Sequence, residues 1–75
     1  MPRLTLYMRD HCRLCDEAID VLARTRAPDF DSVWIDDDPA LEARYGLRVP
    51  VLHNREDGRE LDWPFDVEAL RAFLG

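Results

Sequence analysis

Cys12 and Cys15 are the only two cysteines in a chain of 75 residues, and they stand at i and i+3. Thiols at that spacing can share one redox cycle. If the first attacks a disulfide in another molecule, a mixed disulfide forms. The second, one helical turn further in, can attack that bond, release the reduced partner and leave Cys12–Cys15 oxidised. Two quieter roles compete. A purely structural staple would close a very small loop, for which the loop-entropy formula gives roughly 2 kcal/mol against ~3 for a fifteen-residue loop. A metal site would need the other half of a ligand set. There is no third cysteine, and His53 is the only histidine besides His11. His11 adjoins Cys12 and is awkwardly placed to coordinate alongside it. The metal reading stands chiefly as a cluster shared between two chains through Cys12.

The pair needs elements to position it. Leu4, Leu6 and Met8 alternate along a strand running from Leu4 to Met8. The polar turn Arg9-Asp10-His11 leads into a helix from Cys12 to Arg26, with Cys15, Ala18, Ile19 and Leu22 on one face and Pro28 as the stop. The first cysteine therefore opens a helix. First-turn N–H groups have no intrahelical partner, and the dipole adds roughly half a positive charge there, so a thiolate is favoured. Cysteine pKa values at such positions fall from about 8.5 to between ~3.5 and ~7.5. Asp16 and Glu17 in the first turn oppose that effect, and Arg9 and Arg13 support it.

The rest of the chain supplies a sheet and two more helices. Asp31 to Asp36 reads as a second strand, with Val33 and Ile35 on one face and Trp34 on the other. Strand, helix and strand in succession imply a right-handed crossover and parallel pairing. Asp38-Pro39 starts a short helix with an acidic cap and proline at its first position. Leu41 and Tyr45 share its face, and Gly46 is expected to close it in a left-handed conformation. The run Asp36-Asp37-Asp38 lacks the spacing of a calcium loop and reads as a capped turn. Leu47 to His53 is a third strand in which Pro50 marks a start or a bulge. Asp57-Gly58 turns the chain, and Arg59 to Asp62 returns as its hairpin partner. Asp66 then caps a last helix that buries Val67, Leu70 and either Phe73 or Leu74.

Composition excludes several function classes. A chain of this length is one domain, small enough to bury only about 60% of its unfolded surface. The formal net charge is −6, with ten arginines and no lysine among sixteen acids. That balance disfavours nucleic acid and anionic membranes, which need clustered cations. No apolar run approaches the ~18 residues of a membrane span. The start Met1-Pro2-Arg3-Leu4 does not read as a signal peptide. The expected compartment is the cytoplasm, where a two-cysteine motif is more often catalytic than structural.

The order β-α-β-α-β-β-α, a Cys-x-x-Cys opening the first helix, and Val49-Pro50 before the third strand together resemble the thioredoxin-like superfamily. Within it the chain is most similar to short bacterial glutaredoxin-like proteins, over nearly its whole length. The resemblance implies an α/β fold, with a four-stranded mixed sheet and three helices. It implies that Cys12 is the exposed nucleophile, that Cys15 resolves, and that Pro50 is cis beside the dithiol. Val49 would then offer its backbone N–H and C=O to an extended substrate, as an added strand does. Arg9, His11, Arg13, Val49 and Pro50 are the expected substrate-binding residues. The chain departs from the family at three places. Arg13-Leu14 replaces the usual Pro-Tyr between the cysteines. Arg9 stands where a lysine is usual. Trp63-Pro64-Phe65-Asp66 replaces a Gly-Gly turn that helps bind the γ-glutamyl carboxylate.

The expected function is thiol–disulfide oxidoreduction on a protein or small-molecule disulfide, by a monomer. Its reductant would be a thioredoxin-reductase-like enzyme or glutathione. No tightly bound cofactor is expected, and the Asp66 charge weighs against glutathione. Two rivals remain from other classes: a metal or iron–sulfur carrier using Cys12, and a redox-inert adaptor that keeps only the fold.

Overall fold

A computed structural model describes residues 2–75. Its elements are β1 (Leu4–Met8), α1 (Arg13–Arg24), β2 (Phe30–Trp34), α2 (Pro39–Tyr45), β3 (Val51–Asn54), β4 (Glu60–Asp62) and α3 (Val67–Leu74). The four strands form one mixed sheet in the order β2-β1-β3-β4. β1 pairs parallel with β2 in register Leu4↔Phe30 to Met8↔Trp34, as a crossover through α1 requires. β3 runs antiparallel to both β1 and β4, with Tyr7↔Val51 and Val51↔Asp62 as partners.

Alternation along the strands divides the core between the two faces of the sheet. Leu4, Leu6, Met8 and Leu52 face α1 and α3, meeting Cys15, Ala18, Leu22, Leu70 and Phe73. Tyr7 and Val51 point the other way with Ile35, against Leu41 and Tyr45 of α2. The result is a helix–sheet–helix sandwich with β1 in the interior of the sheet, the thioredoxin-like arrangement.

Several boundaries differ from the sequence expectation, each for a local reason. α1 ends at Arg24 rather than Arg26. Arg26 adopts φ 53, and its N–H and that of Ala27 bond back to the Ala23 and Leu22 carbonyls at 3.1 Å each. That is a Schellman closure built on an arginine, without the glycine that usually announces one. Ile19 was expected on the buried face but is 37% exposed; Cys15, Ala18 and Leu22 fill that face without it. β2 begins at Phe30 and ends at Trp34 rather than spanning Asp31 to Asp36. The Ile35 N–H still bonds to the Met8 carbonyl at 2.9 Å, after which the Asp36 side chain turns to the dithiol loop. β3 starts only at Val51, so Leu47 to Pro50 form a loop.

Gly46 closes α2 in right-handed geometry, φ −53, not the left-handed cap. Glycine serves here for close approach. A Cβ would lie 2.5 Å from the Glu42 carbonyl oxygen, and the Gly46 carbonyl accepts from Arg9 at 2.9 Å.

Candidate redox site

The register brings the chemistry to one end of the sheet. The C-terminal ends of β1, β2 and β4 and the start of β3 lie together there. Each strand hands on to a loop at that end: the dithiol loop after β1, the acidic turn after β2, Trp63 after β4, and Val49-Pro50 before β3. Crevices outside the carboxyl ends of parallel strands are where open α/β sheets place their sites.

Cys12 is the N-cap of α1, in extended geometry, and its Sγ accepts a hydrogen bond from the Cys15 N–H at 3.1 Å. Cys12 and Cys15 are joined as a disulfide with Cα atoms 5.2 Å apart. The two sulfurs differ in access. Cys15 is 1% exposed in the core beneath α1, whereas Cys12 is only half-buried against it. An incoming molecule therefore meets Cys12 first.

The turn before Cys12 is held by its own polar groups. His11 adopts φ 53, a left-handed conformation that non-glycine residues seldom occupy and that often marks functional turns. The Asp10 N–H donates to the Asp36 carboxylate at 3.0 and 3.3 Å, and the His11 N–H donates to Asp10 Oδ1 at 3.1 Å. Asp36 and Asp10 were not singled out as site residues from sequence. In the triplet Asp36-Asp37-Asp38 only Asp38 acts as a cap, its carboxylate accepting from the Ala40 and Leu41 N–H groups.

The expected substrate-contacting residues have the following places. The His11 imidazole is 95% exposed, 3.7 Å from Asp10. Arg13 is exposed at the first helical position beside Cys12. Arg9 is half-buried and committed elsewhere: its guanidinium donates to Glu42 and to the Gly46 carbonyl. The Val49–Pro50 bond is cis, and Pro50 is fully buried at the head of β3. The Pro50 carbonyl accepts from the Trp63 N–H at 3.1 Å, joining the two loops. Val49 differs from the expected contact, because its N–H is spent on the Tyr45 carbonyl at 3.0 Å. At the start of α3, the Asp66 carboxylate accepts from the Ala69 N–H at 2.8 Å, so that helix end already holds an anion. No group of three or more His, Cys, Asp or Glu side chains suited to a metal gathers among the described residues. Among the described residues no helix is long and apolar enough to cross a membrane.

A polar network behind Val49 also escaped the sequence reading. Glu60 accepts from the Tyr45 hydroxyl at 2.6 Å and from Arg48 at 2.8 Å, and His53 Nδ1 lies 3.2 Å away. The Tyr45 ring stacks on Tyr7 with centroids 4.3 Å apart. Burial pushes the Glu60 carboxyl up, but the hydrogen bonds from Tyr45, Arg48 and His53 outweigh it and bring it down to about 2. Burial, then the bond to Glu60, holds the Tyr45 phenol above its ordinary value. A depressed carboxyl stabilises the fold fully above its unfolded value of about 4.3, and that contribution is lost as pH falls toward the folded value. Glu60→Gln should therefore be less stable than wild type at pH 7, by on the order of 2 kcal/mol. Urea midpoints between pH 5 and pH 2 should show that gap narrowing; a gap independent of pH would contradict the assignment.

Comparison with known proteins agrees with this geometry. The X-ray structure of XcR50 from X. campestris matches at TM-score 0.91 and 65% identity, covering 95% of this chain and 93% of that one. Its solution structure matches at TM-score 0.89 and 64% identity, over 96% and 91% of the two chains. Protein Ne2328 from Nitrosomonas europaea matches at TM-score 0.82 and 29% identity, over 99% and 92%. None of the curated proteins matches the chain. The model of the glutaredoxin-like domain (DUF836) matches residues 3–75. With its sheet order, its capped helix and its linked cysteine pair, the chain belongs to the glutaredoxin-like domain family.

Proposed function

We propose that the protein is a thiol–disulfide oxidoreductase in which Cys12 attacks and Cys15 resolves. One observation carries the reading: the Cys12 sulfur sits at the mouth of α1, hydrogen-bonded by the Cys15 N–H, with Cys15 linked to it from the buried side. In the reduced protein the same N–H and the helix dipole favour a Cys12 thiolate. That thiolate attacks one sulfur of a substrate disulfide, forming a mixed disulfide and expelling the other sulfur as a thiolate that takes up a proton. The Cys15 thiolate then attacks Cys12 Sγ, closing Cys12–Cys15 and expelling the second substrate thiol. Two electrons have passed from the protein dithiol to the substrate. A thioredoxin-reductase-like enzyme or glutathione restores the dithiol.

The substrate is a protein or small-molecule disulfide, docked so that its backbone donates to the Val49 carbonyl, with Pro50 fixing that loop. His11 and Arg13 flank the entrance to Cys12. Arg9 acts at one remove, through the Gly46 carbonyl at the head of the Val49 loop. The protein acts as a monomer in the cytoplasm and holds no cofactor tightly. Glutathione as substrate is disfavoured by the Asp66 carboxylate at α3.

The test is turnover. Wild-type protein with dithiothreitol as reductant should accelerate reduction of insulin or of bis(2-hydroxyethyl) disulfide well above the rate of dithiothreitol alone. A protein that accelerates neither, and that binds stoichiometric iron or zinc when purified without chelator, would be the metal carrier instead.

A further inference from the structure

Arg48 lies outside every helix and strand, in the short loop between α2 and β3, and the mechanism above gives it no role. Its guanidinium forms a fork on β4. Nε donates to Asp62 Oδ2 at 3.0 Å, and one terminal nitrogen donates to Asp62 Oδ1 at 2.7 Å and to Glu60 Oε1 at 2.8 Å. The same group lies over the Tyr45 ring, 5.2 Å from its centroid. The backbone repeats the attachment. The Arg48 and Val49 N–H groups both donate to the Tyr45 carbonyl, at 2.8 and 3.0 Å, while the Tyr45 hydroxyl is tied to Glu60 at 2.6 Å. Beyond the next peptide bond, the Pro50 carbonyl is held by the Trp63 N–H, one residue past Asp62.

The loop from Tyr45 to Pro50 is thus fastened to β4 on both sides of Val49. As a source of stability the Asp62 arm of the fork is poorly placed: the Arg48 and Asp62 side chains are 33% and 49% exposed, and ion pairs that open to water contribute little. As a source of orientation it is well placed. A planar two-point contact fixes direction in a way that a point charge cannot. The residue it orients is the next in the chain, and that residue's carbonyl is the proposed acceptor for substrate backbone.

We infer that Arg48, through its fork on Asp62 and Glu60, is a positioning residue that keeps the Val49 carbonyl aimed at the substrate disulfide strand. The inference rests on the oxidoreductase reading above. It touches no reacting atom, so loss of the fork should weaken substrate capture and leave the sulfur chemistry alone.

The experiment compares wild type, Arg48→Ala and Arg48→Lys, with Arg24→Ala as a control from a surface pair remote from the site. Steady-state reduction of insulin is followed with dithiothreitol as reductant, and the alkylation rate of Cys12 is read separately. Arg48→Ala should raise KM about tenfold through lost preorganisation, with kcat and the Cys12 alkylation rate unchanged. Arg48→Lys keeps the charge without the fork and should fall between the two; Arg24→Ala should match wild type. Should Arg48→Ala fail to fold, Asp62→Asn removes the fork's acceptor charge and should raise KM in the same direction. A KM within twofold of wild type in the folded variants, or a loss confined to kcat, overturns the inference. Absence of turnover in wild type would instead remove the oxidoreductase reading itself, and the positioning role with it.

Discussion

Replacing Cys12 with serine should abolish turnover, and replacing Cys15 with serine should arrest it one step later. The two variants separate because the two sulfurs are not equivalent. A serine hydroxyl at the N-cap still accepts the Cys15 N–H, so α1 keeps its cap, but it does not ionise near neutral pH. Disulfide reduction by Cys12→Ser should fall to background, a loss of three orders of magnitude or more, on the scale at which a lone nucleophile is removed. In Cys15→Ser the first attack remains and the resolving step is missing. That variant should accumulate a mixed disulfide with its substrate, seen as a mass increase equal to one substrate thiol and reversed by dithiothreitol. Equal activity in wild type and Cys12→Ser would reverse or refute the assignment of roles. The burial difference makes reversal the less favourable outcome, since Cys15 is 1% exposed.

The second expectation concerns the sheet that holds the pair. Leu6→Ala should cost about 3 kcal/mol of stability, within the 2–5 range for deleting a buried leucine side chain. Leu6 is fully buried at the middle of β1, between Ser32 of β2 and Leu52 of β3. Helices cover its face, so the cavity cannot fill with water or collapse easily. A domain of this size has little stability to lose, and each kcal/mol moves its melting temperature by about 4–8 °C. The variant should melt roughly 10–25 °C lower by far-UV circular dichroism, with both proteins held oxidised. A change of under about 1 kcal/mol would mean that β1 is not at the centre of the core.

Most of this architecture was legible in the sequence because its signals were local. Alternation in Leu4-Leu6-Met8 and the Asp38-Pro39 and Asp66 caps each determine an element within a few residues. The crossover rule then forces the parallel pairing of β1 and β2. The misreadings came where tertiary contacts overrode a local signal. Arg26 takes a left-handed turn that sequence statistics assign to glycine. Gly46 does not take one; its missing side chain instead leaves room for the close approach of Glu42. Ile19 fits the helical period but falls at the rim of the buried stripe.

The site was legible to the same extent. The dithiol and Val49-Pro50 are motifs, visible as residue types at a spacing. Their supports are long-range pairs that no spacing predicts. Asp36 reaches Asp10 across 26 residues, Arg9 reaches Glu42 across 33, and Arg48 reaches Asp62 across 14. The charge on Arg9 was legible, but its destination was not. The Val49 N–H similarly reads as free from sequence and is taken by Tyr45 in the fold.

An activated Cys12 thiolate at the mouth of α1, once the disulfide is reduced, is what the proposed redox cycle requires. Its most direct test is the pH dependence of alkylation in the fully reduced protein, with the modified residue identified by mass. Iodoacetamide should modify Cys12 well before Cys15, with a midpoint below the ordinary cysteine value of about 8.5. A Cys12 that reacts no faster than a free thiol and titrates at or above that value would contradict it.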